Sequence, residues 1–122
     1  MPKEASTRVN RIVVLDDGIV FVEMFGEVTF GRSDAEATLA AINELTGSRP
    51  ALHCVDVRKA RSMDRASREV FANGAHTRAA ALVVSNPLSR VIGNFFLGLS
   101  KAKFPLRLFS DVDSAIAWLH TL

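Results

Sequence analysis

Few residues of this chain combine types and spacings suited to catalysis or metal binding. The three histidines, His53, His76 and His120, fall in an apolar strand, at a helix end and in the last turn, so they do not form a metal-binding set. Cys54 and Asp56 follow His53 closely, but side chains alternate along a strand, which places His53 on the face opposite both. Phosphate-binding glycine loops and the nucleophile-elbow motif do not occur. The sequence therefore predicts no catalytic residues, no cofactor and no metal.

A basic segment, RKARSMDRASR at residues 58–68, concentrates charge. It contains five basic residues and one acidic residue, a local formal charge of +4 in a chain of net charge +2. Asp64 is suited to cap a helix here, and the free N–H groups and dipole of a helix start attract anions. We expect this surface to bind an acidic protein partner or another anion; the alternative is a solvated arginine-rich loop. The candidate binding residues are Arg58, Lys59, Arg61, Asp64, Arg65 and Arg68.

A strongly apolar segment, RVIGNFFLGLSKAKFP at residues 90–105, has the spacing of an amphipathic helix, with Pro87 and Pro105 near its ends. Its predicted inner face consists of Leu88, Val91, Ile92, Phe95, Phe96 and Leu99. A second narrow stripe consists of Gly93, Leu97, Ser100 and Phe104. Small residues beside apolar ones suit a homodimer or partner contact, and the alternative is a set of isolated exposed apolar residues.

A hydrophobic ligand pocket beneath Phe95 and Phe96 is a further alternative for this segment. It would make the protein a small carrier or sensor of an apolar molecule or lipid, although phenylalanines at this spacing are commonly ordinary core residues. A membrane span is not expected, because the apolar run at residues 91–99 is far shorter than the about 20 residues that cross a bilayer.

The elements that position these residues begin with a hairpin. RIVVLD and IVFVEMF are strand-like runs joined by an Asp-Gly turn. The first helix is predicted at residues 34–46, with Ser33 and Glu36 as a capping box and Gly47 as its C-terminal stop. Two later apolar runs, ALHCVDV and AALVVS, are typical of buried parallel strands.

Helices separate the later strands. Between those two runs Asp64 caps a second helix, whose predicted inner face is Ala66, Val70, Phe71 and Gly74. After the 90–105 helix, PLRLFS is the last strand, and a final helix capped by Ser110 buries Val112, Ala115, Ile116 and Leu119. The predicted order is ββαβαβαβα, about five strands and four helices in an α/β fold with a mixed sheet.

The composition indicates one domain, which we place at residues 1–122 with residues 1–8 as a flexible N-terminus. The chain has 122 residues, of which 48% are hydrophobic and 23% charged, ordinary values for a folded domain. The single cysteine, Cys54, excludes an intrachain disulfide and is expected to be a small buried residue. No signal peptide or membrane span is expected, which favours the cytoplasm. The net charge is too small to predict nucleic-acid binding.

The segment MFGEVTFGRSDAEATL at residues 24–39 resembles the opening of STAS domains, in which a hairpin ends in Gly-Glu and leads into the first helix. In the anti-sigma-factor antagonists of that family, a strand aspartate precedes by eight residues an Asp-Ser-Ser-Gly element at a helix start, and here Asp56 precedes Asp64 by the same interval. The resemblance places Arg65 at the position of the phosphorylated serine. Because arginine cannot accept phosphate there, the resemblance implies a STAS frame without the phosphoserine switch.

The second half, NPLSRVIGNFFLGLSKAKFPLRLFSDVDSAIAWL, is similar to small bacterial STAS-like or SpoIIAA-like proteins of actinobacterial type. Together the two resemblances cover nearly the whole chain. They imply a SpoIIAA-like fold and a non-enzymatic regulatory or protein-interaction module, and they supply no catalytic residues.

Overall fold

A six-stranded mixed sheet with helices on both faces forms the framework of the protein. The computed structural model describes residues 3–26, 29–60, 62–72, 76–87, 89–92, 94 and 104–122, with residues 62, 68 and 72 described by their backbone alone. The strands are β1 (Glu4–Ser6), β2 (Asn10–Val14), β3 (Val20–Met24), β4 (Thr29–Phe30), β5 (Ala51–Asp56), β6 (Ser62–Met63), β7 (Thr77–Val83) and β8 (Leu106–Phe109). The helices are α1 (Arg32–Thr46), α2 (Arg65–Ala72) and α3 (Val112–Leu119), and residues 87, 89–92 and 94 are also helical. Within these ranges, no helix combines the length and hydrophobicity that a membrane span requires.

The strands of the main sheet follow the order β1-β2-β3-β5-β7-β8, and β4 and β6 form a separate pair. β1, β2 and β3 are antiparallel, whereas β5, β7 and β8 run parallel to β3. The predicted hairpin is confirmed as β2–β3, in which Asn10 lies opposite Met24, and Gly18 takes a φ of 88° in the turn. All the parallel strands therefore begin at one edge of the sheet, the amino edge, and end at the other, the carboxyl edge.

The N-terminal residues differ from the expectation. Residues 1–8 are expected from the sequence to be flexible, but Glu4–Ser6 forms β1 and pairs with β2. Arg11 of β2 donates two hydrogen bonds to Glu4, at 2.9 and 3.0 Å, and Val9 is fully buried. A three-residue polar strand has no hydrophobic alternation, so periodicity does not reveal it. The two short strands β4 and β6 escape prediction for the same reason.

Two hydrophobic clusters fill the two faces of the sheet. The first lies beneath α1 and α2 and includes Val20, Val22, Met24, Ile42, Leu82 and Ile92. The second lies beneath α3 and includes Cys54, Ala79, Ala81, Val83, Ala115 and Leu119. The inner face predicted for the last helix is confirmed, since Val112 and Ile116 also pack against this second cluster. Burial raises the pKa of the Cys54 thiol to about 12, in agreement with its predicted role as a small buried residue.

The N-terminus of α1 is capped by Gly31 and not by Ser33. Asp34 Oδ2 accepts the backbone N–H of Gly31 at 2.9 Å, so the predicted capping box of Ser33 and Glu36 is wrong and the helix starts earlier. Arg8 holds this carboxylate in place, with its Nη2 2.6 Å from Asp34 Oδ2. Because Arg8 is distant in sequence from α1, the local sequence pattern does not indicate that Gly31 and Asp34 form the cap.

The other helix ends follow the sequence more closely. Gly47 is confirmed as the C-cap of α1, with a φ of 64° in the left-handed region. The cap of α3 is Asp111, whose carboxylate accepts the Ser114 N–H at 2.7 Å, so the predicted Ser110 cap is wrong. Serine and aspartate are both suitable N-cap residues. Asp111 is the cap here because its carboxylate, three residues before Ser114, accepts the free backbone N–H of that residue.

Two residues predicted to face the core are exposed. Ala66 of α2 is exposed while the adjacent Ser67 is buried, and Val91 is 59% exposed while Ile92 is buried. A shift of one residue turns a helical side chain by about 100°, and short helices offer few periods to fix that phase. The other inner residues predicted in these two helices either are half-buried, as Val70 and Phe71 are, or lie outside the described residues, as Gly74, Leu88, Phe95, Phe96 and Leu99 do.

Candidate functional site

The basic segment lies at the carboxyl edge of the sheet. Residues 57–60 lead from the end of β5 towards β6 and the start of α2. The Val57 N–H donates to the carbonyl of Val83 at 3.1 Å, and Asn86 Nδ2 donates to the carbonyl of Arg58 at 3.1 Å. These bonds tie the loop to the residues that follow β7, so its side chains project from a fixed backbone.

Arg58 is held by Asp56 at the end of β5. Its Nε and Nη2 donate to the two carboxylate oxygens at 3.0 and 2.8 Å, and its backbone N–H donates to Oδ1 at 3.0 Å. Asp56 is only 7% exposed, so the carboxylate of this bidentate pair is shielded from water, whereas the Arg58 side chain is 38% exposed. The hydrogen bonds and charge of Asp56 raise the pKa of Arg58, with smaller effects of Asp111 and Glu23. Acidic neighbours therefore neutralise the charge of Arg58. This arginine orders the loop more than it attracts an anionic partner.

Among the described residues of the basic segment, Arg65 and Lys59 carry the accessible positive charge. Arg65 is the first residue of α2, its side chain is 79% exposed, and its Nε lies 3.1 Å from Glu69 one turn along the helix. An exposed pair of this kind contributes about 0–1 kcal/mol, so a partner carboxylate can replace it. Lys59 is exposed and forms no ion pair within the described part of the chain. Arg61 and the side chain of Arg68 lie outside the described residues.

Asp64 is the cap of α2, as the sequence predicts. Its Oδ1 accepts the backbone N–H of Ser67 at 2.8 Å and the Ser67 hydroxyl at 2.6 Å. Ser67 is fully buried, and its hydroxyl also lies 3.4 Å from the carbonyl of Phe30. The first three residues of α2 are Arg65, Ala66 and Ser67, so they offer no accessible hydroxyl to a kinase.

The histidines and the cysteine do not converge. His53 faces the first cluster and Cys54 the second, as strand alternation predicts. His53 Nδ1 lies 3.5 Å from Thr77 Oγ1, and burial lowers the pKa of the ring to about 4, so the ring is neutral near pH 7. His120 lies at the end of α3, far from His53 in the sequence, with its Nε2 2.6 Å from Asp17 Oδ2. The residues that the structure describes contain no group of His, Cys, Asp and Glu side chains placed to hold a metal ion.

A small apolar cavity of about 60 Å³ lies beneath α1 and α2. Its lining is mainly aliphatic and aromatic, with Thr38, His53 and Thr77 as polar members. Phe104, from the predicted dimer stripe, is half-buried and lines this cavity. The other members of that stripe, Gly93, Leu97 and Ser100, lie outside the described residues, so the homodimer contact stays a prediction.

A second concavity, for which the sequence gives no prediction, lies at the amino edge of the sheet. It is a groove of about 240 Å³ between the β2–β3 turn, the end of α1 and the starts of β5 and β7. Its lining includes Asp17, Arg49 and Arg78. The two arginines are remote in sequence and come together only through the pairing of β5 with β7, so no local motif could have found them.

Comparisons with known proteins bear on this fold. The profile of a family described as "Domain of unknown function (DUF7793)" matches residues 13–122. An uncharacterised protein of the DUF3478 family with a SpoIIAA-like fold, from Shewanella loihica PV-4, is similar with a TM-score of 0.64 and 15% identity over 94% of this chain and 98% of that chain. A protein with unknown function from Arthrobacter sp. FB24 has 28% identity over 91% of this chain and 99% of that chain, with a TM-score of 0.34. No curated protein matches the chain.

The Shewanella structure confirms the architecture that the sequence predicts. At 15% identity the Shewanella protein shows the fold alone, and that fold is SpoIIAA-like. The family profile covers β3 and every later element. The chain therefore has a SpoIIAA-like fold, and it belongs to the DUF7793 family.

Proposed function

We propose that the protein is a non-enzymatic regulatory module that binds an acidic segment of a protein partner. The contact surface, which we name the α2 surface, consists of Arg58, Lys59, Arg61, Asp64, Arg65 and Arg68. The observation that carries the proposal is the position of Arg65, exposed at the first residue of α2. A carboxylate bound there meets the guanidinium and the positive end of the helix dipole together. Arg58 and Asp64 support the surface by holding the loop and capping the helix.

Binding at the α2 surface is constitutive in this proposal. The resemblance to anti-sigma-factor antagonists favours protein binding, but Arg65 stands at the position of their phosphoserine. The nearby Ser67 hydroxyl is buried against Asp64, and a phosphate there would repel that carboxylate and disrupt the cap. Control of the interaction therefore rests with the amounts of the two proteins.

The test compares Arg65→Glu with the matched control Arg90→Glu, which reverses the charge of another exposed arginine. Wild type and both variants are captured from the native host, and the co-purifying proteins are quantified by mass spectrometry. We expect a protein that the wild type and Arg90→Glu retain to be lost from Arg65→Glu. The purified partner should then bind Arg65→Glu at least about tenfold more weakly, a change of about 1.4 kcal/mol, and more weakly at high salt.

Unfolding curves of all three proteins show whether each variant is folded. If the partner binds a folded Arg65→Glu with unchanged affinity, the α2 surface is not the contact.

A second candidate function, a carrier or sensor of a small apolar molecule, has the cavity beneath α1 and α2 in its favour. Its volume of about 60 Å³ is less than half of the about 150 Å³ that holds benzene in an engineered protein cavity. A lipid would therefore require the cavity to enlarge. Native mass spectrometry of gently isolated protein decides: a bound mass of a few hundred daltons, removed by Phe71→Trp, supports the carrier, and a bare chain contradicts it.

A further inference from the structure

We propose that the groove at the amino edge of the sheet binds a small organic oxyanion, a phosphate monoester or a carboxylate on a compact apolar body. The groove lies at the opposite edge from the α2 surface, so this site is independent of the proposed function. Its chemistry follows from two guanidinium groups, an apolar floor and one fixed carboxylate.

Arg49 supplies the first guanidinium. It follows the C-terminus of α1, and its Nε donates to the carbonyl of Thr46 at 3.0 Å. This bond restrains the side chain and leaves both terminal nitrogens free to donate to an oxyanion, because arginine has five N–H donors. No carboxylate forms an ion pair with Arg49 in the part of the chain that the structure describes.

Arg78 supplies the second guanidinium, and an irregularity of the sheet positions it. Ala51 pairs with Thr77 and Leu52 with Ala79, so Arg78 is the extra residue of a β-bulge. A bulge redirects a side chain, and bulges are frequent beside binding sites. Within the described ranges this arginine also has no carboxylate partner.

Among the described arginines Arg90 and Arg107 also form no ion pair, but Arg49 and Arg78 are the two that line this groove. Five other arginines each bind a carboxylate: Arg8, Arg11, Arg32, Arg58 and Arg65. Two guanidinium groups without an ion pair line this one groove, and an anion bound there would interact with both.

The backbone before each arginine is also held in an uncommon conformation. Ser48 has a φ of 61° and His76 a φ of 73°, both in the left-handed region that residues with a Cβ rarely adopt. The N–H of Ala51 donates to the carbonyl of His76 at 2.9 Å, which links the two segments. Conformations of this kind persist where the surrounding structure imposes them, frequently at binding sites.

The residues at the floor of the groove determine the size and polarity of the ligand's uncharged part. Val14, Ile19 and Leu52 give the groove an apolar lining. Its volume of about 240 Å³ exceeds the about 150 Å³ that holds benzene, so a single ring or a short acyl chain fits. Inorganic phosphate would leave this floor uncovered, and we therefore expect it to bind more weakly.

Asp17 bounds the groove on the side of the hairpin turn. Its Oδ2 lies 2.6 Å from His120 Nε2, and its Oδ1 accepts the Ile19 N–H at 3.1 Å. The carboxylate is thus fixed and partly compensated by these partners. It can accept a hydrogen bond from a ligand hydroxyl without cancelling the charge of both arginines.

The test uses phenyl phosphate and benzoate as probes, with phenol and inorganic phosphate as controls that lack the anion or the apolar body. The isotope-labelled full chain is titrated, and the backbone amide resonances are followed by NMR. We expect saturable changes at Gly18, Ile19 and Ala51 with at least one organic anion, and none at Lys59 and Ala60. Each control compound should bind at least about tenfold more weakly than that probe.

Three variants complete the experiment. Arg78→Gln and Arg49→Gln should each raise the dissociation constant of the probe at least about tenfold, and the exposed matched control Arg90→Gln should leave it unchanged. The Arg78 variant is the cleaner of the two, because the Arg49 variant also loses the bond to Thr46.

Three results overturn the proposal. The first is that neither organic anion binds the wild type with a dissociation constant below about 10 mM, an affinity of under about 3 kcal/mol. The second is that probe binding is unchanged in both folded arginine variants. The third is that the perturbed resonances lie at residues 58–60, which would assign anion binding to the α2 surface.

Discussion

At the scale of single residues, one carboxylate controls the loop before α2. Asp56 accepts three hydrogen bonds from Arg58, two from the guanidinium and one from the backbone. The loop that presents Lys59 therefore depends on a side chain that itself stays almost wholly buried.

Replacing this carboxylate should destabilise the fold. In Asp56→Asn the guanidinium of Arg58 loses its charged acceptor. We expect the free energy of unfolding to fall by about 1–2 kcal/mol, towards the low end of the about 1.5–3 kcal/mol typical of hydrogen bonds to charged groups, because Arg58 is partly exposed. Urea unfolding measures the change. The matched control is Glu4→Gln, which breaks the exposed Arg11–Glu4 ion pair and should lower the stability much less than Asp56→Asn. Equal losses in the two variants would contradict a special role of Asp56.

His53 should make the stability depend on pH. Burial lowers the pKa of its ring from 6.5 to about 4 in the folded protein. The unfolded chain therefore binds a proton that the folded chain excludes, so stability is complete above pH 6.5 and is lost as the pH falls towards 4. The slope is at most about 1.4 kcal/mol per pH unit.

Urea unfolding across this pH range tests the assignment. His53→Gln should lose most of the slope, because it removes the buried ring whose pKa is lowered. A slope that survives in His53→Gln would assign the proton to another group.

At the scale of elements, backbone conformation distinguishes the two glycines that flank α1. Gly47 has a φ of 64°, whereas the N-cap Gly31 has a φ of −107°, which any residue adopts. A methyl group at Gly47 would meet no atom within 4 Å, so its cost is conformational alone. Replacement of Gly47 therefore isolates the preference for glycine in the left-handed region.

We expect Gly47→Ala to lower the free energy of unfolding by about 1 kcal/mol, since the left-handed conformation costs a residue with a Cβ about 1–2 kcal/mol. Thermal or urea unfolding measures it. The control Gly31→Ala places its Cβ 3.7 Å from Asp34 Oδ2, an ordinary contact, and should change stability by less than half as much. A larger loss at Gly31 would reverse this interpretation.

The elements that the sequence predicts are those with long periodic patterns. The hairpin, the strands β5, β7 and β8, and the helices α1, α2 and α3 all carry apolar runs, alternation or helical spacing over several positions. β1, β4 and β6 are three residues or fewer and carry none. The capping errors have another cause, because Asp34 and Asp111 compete with nearby serines and the choice depends on tertiary contacts such as Arg8.

At the scale of the whole molecule, the described arginines of the α2 surface and those of the amino-edge groove differ in their ion pairing. At the carboxyl edge Arg58 is matched by Asp56 and Arg65 is in an exposed pair with Glu69. At the amino edge Arg49 and Arg78 have no such partners among the described residues. The basic segment could be predicted from the sequence because its charges are adjacent in the chain. The amino-edge groove could not be predicted, because it is formed by the pairing of β5 with β7 and by the β-bulge.

The predicted homodimer contact gives a test at the same scale. If the stripe that contains Leu97 joins two chains, Leu97→Glu should convert a dimer into a monomer, because a charge in an apolar contact is costly. Sedimentation velocity of wild type and variant measures the change. If the wild type is already monomeric and the variant sediments identically, the predicted homodimer contact is wrong.

The strand β1 also bears on where this domain can be cut. The family profile begins at residue 13, within β2, yet Val9 and Ile12 are fully buried before that point. Asn10 is buried as well, and its amide donates to Thr38 of α1 at 2.9 Å. A fragment trimmed to the profile would lack these contacts and expose the hydrogen-bonding edge of β3, a template for pairing between chains. The smallest self-sufficient unit of this fold therefore starts upstream of the boundary that sequence similarity marks.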